Sequence, residues 1–122
     1  MKIVSIKKNY EFRRLYARGD RAGTPRMVIY CRHNRLGINR LGITVSTKLG
    51  KAIHRNRIRR RLREIFRLNS NRLAPGWDIV VVAKLKSRFS SYSELEGDFI
   101  RACDKLGIWL VNADETDTDI CH

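Results

Sequence analysis

The sequence predicts a single α+β domain, an α-β sandwich in which helices pack on one mixed central β-sheet in the order αββαβα. Three observations support this fold class. The chain has 122 residues, of which 43% are hydrophobic, and this suits one domain with its own core. Three segments repeat apolar residues at helical spacing, and three others show the apolar pattern of strands. In chain order, these segments read helix, strand, strand, helix, strand, helix.

The first helix is predicted over residues 8–18. Its apolar face, at spacings of three and four residues, consists of Phe12, Leu15 and Tyr16. Asn9 is the predicted N-cap, since its side-chain oxygen can accept from a free backbone N–H of the first turn. Gly19 is expected to end the helix in the left-handed conformation, which glycine adopts without steric cost.

Strands are predicted at residues 26–32, 40–46 and 78–83. In the first two, successive side chains alternate between two faces, and the alternation places apolar groups together. The third segment reads Asp-Ile-Val-Val-Val-Ala and is almost continuously apolar, as in a strand that is buried on both faces.

The second helix is predicted from Ala52 to about Asn69. Its apolar stripe consists of Ile58, Leu62, Ile65 and Phe66. The opposite side carries Arg59, Arg60, Arg63 and Arg67. Arginine and leucine are good helix formers, so the local propensity agrees with the pattern.

The third helix is predicted after residue 90. A capping box opens it, formed either by Ser91 with Glu94 or by Ser93 with Glu96. Its expected apolar face consists of Leu95, Phe99, Ala102, Leu106 and Trp109.

Positive charge dominates the composition. The chain has 26 Lys and Arg against 12 Asp and Glu, a formal net charge of +14, which predicts a polyanionic partner. Residues 48–67 alone hold nine bases and one acid. Residues 112–122 hold four acids and no Lys or Arg, and we expect a flexible acidic tail there, after a domain that spans residues 1–111. Such a tail could mask the basic face or simply improve solubility.

The basic helix points to RNA. Two like charges at helical spacing destabilise a helix by a few tenths of a kcal/mol, about as much as an opposite pair would stabilise it. A merely solvated helix surface therefore does not explain why the bases of this helix lack acidic partners. Guanidinium groups bind phosphate oxygens with two parallel hydrogen bonds and stack on bases. The sequence has neither a Cys/His finger pattern nor leucine heptads after the arginines, and an α+β domain is not a helix-turn-helix protein. Structured RNA therefore suits this helix better than DNA does.

Other function classes are excluded by what the sequence contains. Cys31, Cys103 and Cys121 are widely spaced and odd in number, which predicts reduced thiols in a cytoplasmic protein rather than a disulfide framework or a zinc site. No apolar run is long enough for a signal peptide or a membrane span. The histidines are far apart and the acids show no paired spacing. We therefore expect no catalytic residue, no metal ligand and no small-molecule substrate.

Three consecutive motifs carry a family resemblance. They are Leu-Gly-Ile-Thr-Val-Ser at 41–46, Lys-Leu-Gly-Lys-Ala at 48–52 and Arg-Asn-Arg-Ile-Arg-Arg-Arg-Leu-Arg-Glu at 55–64. Together they closely resemble the signature of the bacterial ribonuclease P protein component, whose core is the Arg-Asn-Arg triplet at 55–57. Residues 12–19 and 78–84 resemble the first helix and the last strand of that family, so the resemblance covers nearly the whole chain.

The resemblance implies a protein subunit that assists a catalytic RNA in removing the 5′ leader from precursor tRNA. It implies that Mg²⁺ lies in the RNA and that the protein itself supplies no catalytic residue and binds no cofactor. The catalytic RNA would contact the basic helix and the preceding loop at Lys51, Arg55, Asn56, Arg57, Arg59, Arg60, Arg61 and Arg63. For Asn56, a hydrogen bond to nearby backbone is an equally good explanation.

The resemblance also implies a second site, a cleft between the first helix and the sheet that holds the single-stranded leader. Its residues would be Phe12, Tyr16, Tyr30, Ser46 and Lys48. Aromatic faces stack on unpaired bases without sequence preference, although helical spacing alone would make Phe12 and Tyr16 core residues. Thr47 stands where the family often has a second lysine, so the leader contact there is expected to be less electrostatic.

The family fold adds one expectation that no residue pattern predicts. In it the basic helix links two parallel strands through a left-handed crossover, whereas such connections are right-handed in about 98% of cases.

Two other functions remain open, a ribosomal or RNA-assembly protein and a stand-alone RNA-cleaving enzyme. Only the ribonuclease P hypothesis requires an added RNA subunit for leader cleavage.

Overall fold

The computed structural model describes residues 3–110, which form three α-helices and one five-stranded sheet. The helices are α1 (Asn9–Arg18), α2 (Ala52–Asn69) and α3 (Tyr92–Leu106). The strands are β1 (Val4–Ser5), β2 (Asp20–Gly23), β3 (Met27–His33), β4 (Arg40–Thr44) and β5 (Trp77–Ala83). Short 3-10 helices follow β4, α2 and β5, at Thr47–Leu49, Ser70–Arg72 and Leu85–Phe89. The predicted acidic tail and Cys121 lie outside the described residues.

The sheet is mixed, as predicted, with the strand order β1-β4-β5-β3-β2. β4 runs parallel to β5, with Leu41 opposite Ile79, and β3 runs antiparallel to β5 along its whole length. Because α2 connects the parallel neighbours β4 and β5, the predicted βαβ unit is present. Its left-handed sense stays a prediction of the resemblance.

The two faces of the sheet are covered unequally. The face beneath α2 and α3 carries what we call the large core, a cluster of twenty buried residues in the described part of the chain. The face beneath α1 carries the small core, whose buried members there are Ile6, Leu15 and Val80. Alternation along β5 serves both, since Ile79 and Val81 lie in the large core while Val80 lies in the small one.

The long helices begin where predicted, but α3 ends at Leu106, because Gly107 caps it in the left-handed conformation, so Trp109 of the predicted apolar face lies beyond the helix. α2 spans Ala52–Asn69, and its four predicted apolar residues are all buried in the large core. α3 opens with the first of the two predicted capping boxes: Ser91 accepts from the backbone N–H of Glu94, whose carboxylate accepts from the backbone N–H of Ser91. Strong periodicity over many residues made both predictions possible.

The prediction for the ends of α1 was wrong in two details. The N-cap is Lys8 rather than Asn9, and it makes no side-chain capping bond. Gly19 does end the helix, but its φ of −77° and ψ of 159° are extended rather than left-handed. Glycine is required there by space, because a Cβ would lie 2.6 Å from the carbonyl oxygen of Leu15 and 2.9 Å from that of Cys31.

The sequence analysis predicted neither of the two edge strands, β1 and β2. β1 has only two residues, and β2 reads Asp-Arg-Ala-Gly, a composition depleted in strand formers. Each forms because a neighbouring strand offers free backbone groups, β4 for β1 and β3 for β2. The predicted strand at 40–46 ends instead at Thr44, and Ser46 becomes the N-cap of the 3-10 helix Thr47–Leu49.

Two of the three cysteines lie in the large core as free thiols. Cys31 and Cys103 are both buried. Burial, with a smaller contribution from the charge of Asp20, raises the pKa of Cys31 to about 11. Burial likewise raises the pKa of Cys103 to about 12. At neutral pH both therefore remain protonated and act as small apolar groups.

Candidate nucleic-acid interface

A cleft of about 540 Å³ lies between α1 and the sheet. One wall comes from α1 and consists of Asn9, Phe12, Arg13 and Tyr16. The other wall comes from the end of β4 and the residue after it, and consists of Ile43, Thr44 and Val45. Arg59 of α2 completes the lining. The cleft thus combines aromatic rings, hydroxyl groups and two guanidinium groups, which is a chemistry suited to unpaired nucleotides.

The aromatic side chains of the cleft are held in place by the sheet. The ring of Phe12 lies against Gly42, where a Cβ would approach it to 2.7 Å. The hydroxyl of Tyr16 lies 2.8 Å from Oγ1 of Thr44, and its ring meets that of Tyr30 edge-on at a centroid distance of 5.0 Å. Tyr16 nevertheless remains 39% exposed. These side chains therefore pack against the sheet and line the cleft at the same time.

The structure separates the five predicted leader-binding residues into two groups. Phe12 and Tyr16 line the cleft, and Tyr30 lies next to Tyr16 without being part of the lining. Ser46 and Lys48 are exposed just beyond the cleft, after the last residue of its β-wall. The Ser46 hydroxyl accepts the backbone N–H of Lys48 at 3.2 Å, so it also caps the 3-10 helix there.

The eight predicted RNA-binding residues of α2 and its N-cap are not equivalent. Those that are exposed are Lys51, Asn56, Arg57, Arg60 and Arg63. Those that are half-buried are Arg55, Arg59 and Arg61. Nε of Arg55 donates to the carbonyl of Gly50 at 3.1 Å, and Nη1 of Arg61 donates to the carbonyl of Ser90 at 3.0 Å. These two arginines therefore also hold the loops beside the helix.

A second hollow, of about 430 Å³, lies on the outer face of α2. It is lined by Ile53, Asn56, Arg59, Arg60 and Arg63. Oδ1 of Asn56 accepts from Nη1 of Arg59 at 3.2 Å, so the hydrogen bond that the structure shows is to a side chain rather than to nearby backbone. Arg59 lines both this hollow and the cleft, so the two lie on either side of one side chain.

The one acid of segment 48–67 is neutralised within the helix. Glu64 forms an ion pair with Arg67, one turn later. The hydrogen bond from Arg67 lowers the pKa of Glu64, so the carboxylate stays charged and occupied. Arg67 is not one of the predicted RNA contacts. Since Glu64 is the one acid of α2 and is paired with Arg67, no acid of this helix pairs with the predicted basic contact residues.

Sequence reasoning missed several basic and aromatic residues near this surface. Arg13 lines the cleft, and the 3-10 helix after β5 contributes Arg88 and Phe89. Phe89 is 75% exposed, with the guanidinium of Arg88 over its ring at 5.3 Å, and Arg88 also lies close to Gly50. The run Lys-Leu-Lys-Ser-Arg-Phe at 84–89 was the available signal, since it places a basic side chain at every second position and ends in an aromatic one.

Within residues 3–110, no helix is long and apolar enough to cross a membrane. No group of three or more His, Cys, Asp or Glu in that range could hold a metal ion. The expected absence of protein cofactors and catalytic residues stays a prediction.

The chain is similar in sequence and in fold to known proteins. The family model described as Ribonuclease P matches residues 1–107. Similar proteins include the ribonuclease P protein components of Natranaerobius thermophilus, 38% identical over 84% of this chain and 90% of the relative, and of Clostridium botulinum strain Loch Maree, 40% identical over 89% of this chain and 99% of the relative.

Solved structures of similar fold include two bacterial proteins. The Staphylococcus aureus RNase P protein has 30% identity and a TM-score of 0.82, and the match covers 89% of this chain and all of that one. The Thermotoga maritima RNase P protein has 29% identity and a TM-score of 0.74, over 80% of this chain and 92% of that one. The predicted α+β fold is confirmed by these matches.

Proposed function

The chain belongs to the ribonuclease P protein family, and on that premise we propose that it is the protein subunit of a ribonucleoprotein that removes the 5′ leader from precursor tRNA. In this role it binds the leader and stabilises the catalytic RNA, which performs the cleavage. The Mg²⁺ ions of the reaction belong to the RNA, and the protein contributes no catalytic residue. Its place is the cytoplasm, where precursor tRNA and the catalytic RNA would meet it.

One observation carries this proposal: Arg59 lines both the aromatic cleft and the hollow on the outer face of α2. A nucleic acid strand in the cleft would leave it beside the exposed arginines of α2. The cleft offers ring faces held by the sheet, and the helix offers guanidinium forks. The first chemistry suits an unpaired leader and the second suits the phosphates of a folded RNA.

The proposed division of contacts follows from exposure. On α2 the catalytic RNA takes the exposed Asn56, Arg57, Arg60 and Arg63, with Lys51 at the helix start. The leader takes Phe12 and Tyr16 in the cleft, with Ser46 and Lys48 beyond its end. Arg59 lies where the two RNAs would approach each other. In the segment 46–48, Ser46 and Thr47 are neutral. Lys48 therefore supplies the only positive charge of this segment to the leader.

Reconstitution with a cognate catalytic RNA tests the proposal. We expect leader cleavage from precursor tRNA at physiological Mg²⁺ only when protein and RNA are mixed. Cleavage by the protein without RNA, at the rate of the mixture, would contradict it. A protein that binds ribosomal RNA tightly but never stimulates the catalytic RNA would instead be a ribosomal or assembly protein.

Two substitutions separate the two contacts. Arg57→Ala should weaken binding of the catalytic RNA, because an exposed guanidinium on α2 is lost.

Tyr16→Ala should weaken binding of precursor tRNA about 5- to 100-fold, because one base–aromatic stack is lost, with little change for mature tRNA. Tyr10→Ala is the matched control, since Tyr10 is 50% exposed on α1 but does not line the cleft. The affinities are measured at one salt concentration, because binding to phosphates depends steeply on salt. Equal losses of affinity for precursor and mature tRNA would contradict the assignment of the leader to the cleft.

A further inference from the structure

A third hollow, of about 590 Å³, lies at the other end of the sheet. Its lining comes from Arg14 of α1, from residues 32–35 at the end of β3, and from Arg40 and Asp78 at the starts of β4 and β5. Asp78 and Val82, which pairs with the cleft residue Thr44, are four residues apart on β5, a separation of about 13 Å. The hollow is therefore distinct from the cleft.

The acid of this hollow is already occupied. Asp78 accepts from Nε and Nη2 of Arg40 at 2.8 and 2.7 Å, and from Nδ2 of Asn34 at 2.9 Å. Nη2 of Arg40 also donates to Glu11 at 2.7 Å. Burial would raise the pKa of Asp78, but these hydrogen bonds and the charge of Arg14 lower it further than burial raises it. Asp78 thus remains a carboxylate whose oxygens are directed to Arg40 and Asn34.

Three further arginines of the hollow have no carboxylate of their own. Among residues 3–110, Arg14, Arg32 and Arg35 form no ion pair, although Arg14 lies over the ring of Tyr10. Arg32 of β3 and Arg40 of β4 both stand opposite Asp78 in the strand registers, and that acid binds Arg40. The hollow therefore carries an excess of positive charge that the described residues do not balance.

Arg32 also leaves a buried donor unused. Its Nη1 is shielded from solvent and makes no hydrogen bond within the described residues. Buried polar atoms are nearly always paired, and those of charged groups are the most costly to leave alone. An acceptor that enters the hollow would satisfy this donor once the Arg32 side chain turns toward it.

The loop that closes the hollow is strained. Arg35 is the one non-glycine residue of the described chain with a positive φ, 64°. Its neighbour Asn34 holds the turn, accepting the backbone N–H of Leu36 at 2.8 Å. Arginine rarely adopts this left-handed conformation, and such residues cluster at ligand sites. The strained conformation keeps a guanidinium at the rim of the hollow.

We propose that this hollow binds a phosphate group, held by Arg14, Arg32 and Arg35. Guanidinium forks match the oxygens of phosphate. Arg40 already pairs with Asp78 and Glu11, whereas the other three arginines of the hollow form no ion pair among the described residues and can bind the phosphate. The phosphate comes either from an RNA backbone or from a free nucleotide, since both present the same oxygens. This site would bind its ligand without the catalytic RNA and does not rest on the proposed function.

Nuclear magnetic resonance titration of the full chain tests the proposal. The probes are inorganic phosphate, adenosine 5′-monophosphate and a ten-nucleotide single-stranded RNA. The indole N–H of Trp77 reports on the site, since the Trp77 ring contacts that of His33 at 5.4 Å. We expect Arg32→Gln to weaken binding to this site at least fivefold. Arg18→Gln, which removes an exposed arginine of α1 outside the hollow, should change it less than twofold.

A second variant guards against a merely structural effect. Arg35→Gly should raise the thermal midpoint, because glycine tolerates the positive φ, and yet weaken phosphate binding. Losses for the RNA together with the small phosphates assign the site to an RNA backbone, and losses for the small phosphates alone assign it to a free nucleotide. Affinities unchanged by Arg32→Gln for all three probes would overturn the proposal.

Discussion

The two faces of the sheet divide the work of this protein unequally. Beneath α2 and α3 lies the large core, with Phe66 and Phe99 almost wholly removed from solvent. Beneath α1 lies the small core, whose margin of Phe12, Tyr30 and Val82 stays partly exposed. One long helix and one of intermediate length cover the first face, but a ten-residue helix covers the second. The short cover leaves room for a cleft.

This difference allows so small a domain to combine a stable core with the proposed binding surface. α2 separates the two tasks on opposite sides of one helix, with apolar residues inward and arginines outward. α1 cannot separate them, because its inward residues Phe12 and Tyr16 also line the cleft. Substitutions should therefore affect stability alone in the large core, stability and RNA binding together beneath α1, and RNA binding alone on the outside of α2.

The largest expected effect is on the large core. Phe66→Ala should lower the free energy of unfolding by about 3–5 kcal/mol, because a buried ring is replaced by a cavity. Urea unfolding measures it. Phe89→Ala is the control, since that ring is 75% exposed and its loss should cost within about 0.5 kcal/mol. Similar losses for the two variants would show that the large core does not dominate stability.

A buried carboxylate on the same side gives a smaller, pH-dependent effect. Burial would raise the pKa of Asp98, but hydrogen bonds from Thr24 and Arg26, with the charge of Arg101, lower it overall. The carboxylate accepts the backbone N–H of Arg26 at 3.0 Å. Asp98→Asn should cost about 1–3 kcal/mol at pH 7.

The pH dependence follows from the sign of this shift. A carboxyl group whose pKa is lower in the folded than in the unfolded state stabilises the fold at pH values above its unfolded-state pKa of about 3.9. It loses that contribution as the pH falls through its folded-state pKa. The difference in unfolding free energy between wild type and Asp98→Asn should therefore shrink below about pH 4. Urea unfolding at pH 7 and pH 3 measures it, and a constant difference would mean that the charge of Asp98 does not stabilise the fold.

Beneath α1, one substitution should change both properties. Phe12→Ala should lower the free energy of unfolding by about 1–2 kcal/mol, less than Phe66→Ala, because the ring is only partly buried. It should also reduce the preference for precursor over mature tRNA, since a stacking face is lost. Unfolding and tRNA binding are measured on the same preparation. Lower stability with an unchanged preference would make Phe12 a core residue only.

The smallest effect on stability is expected on the outside of α2. Arg63→Gln should change the free energy of unfolding by no more than about 0.5 kcal/mol, because the side chain is exposed. It should weaken RNA binding and reduce the slope of log affinity against log salt by about one. Arg18→Gln serves as the control. An unaltered salt slope would show that Arg63 contacts no phosphate.

The elements that sequence predicted best are those whose pattern repeats. The bounds of α2 match because four apolar residues mark one stripe over many residues, and β5 matches because its run is continuously apolar. β1 and β2 carry no such pattern and exist through pairing with β4 and β3. Gly19 shows the same limit, since contacts with Leu15 and Cys31 from two elements require glycine there.

The candidate site divides in the same way. Composition and spacing predicted that α2 is a basic helix, because nine bases against one acid in twenty residues are visible without a structure, whereas the choice of its contact residues rested on the family resemblance. Composition and spacing have limits here. They did not indicate that Arg55 and Arg61 hold neighbouring loops, or that Arg13 and Phe89 lie near the same surface. Those relations join residues that are distant in sequence.

By itself, then, the sequence determined the fold class, the sides of the helices and the polyanionic partner, because periodicity and charge are local properties of the chain. Only the tertiary structure decided which rings border the cleft, that Arg59 lines two hollows, and that Asp78 pairs with Arg40 rather than with Arg32, although both stand opposite it. Each of these depends on distances between separate elements. Such distances are set by packing the whole chain, and no local pattern encodes them.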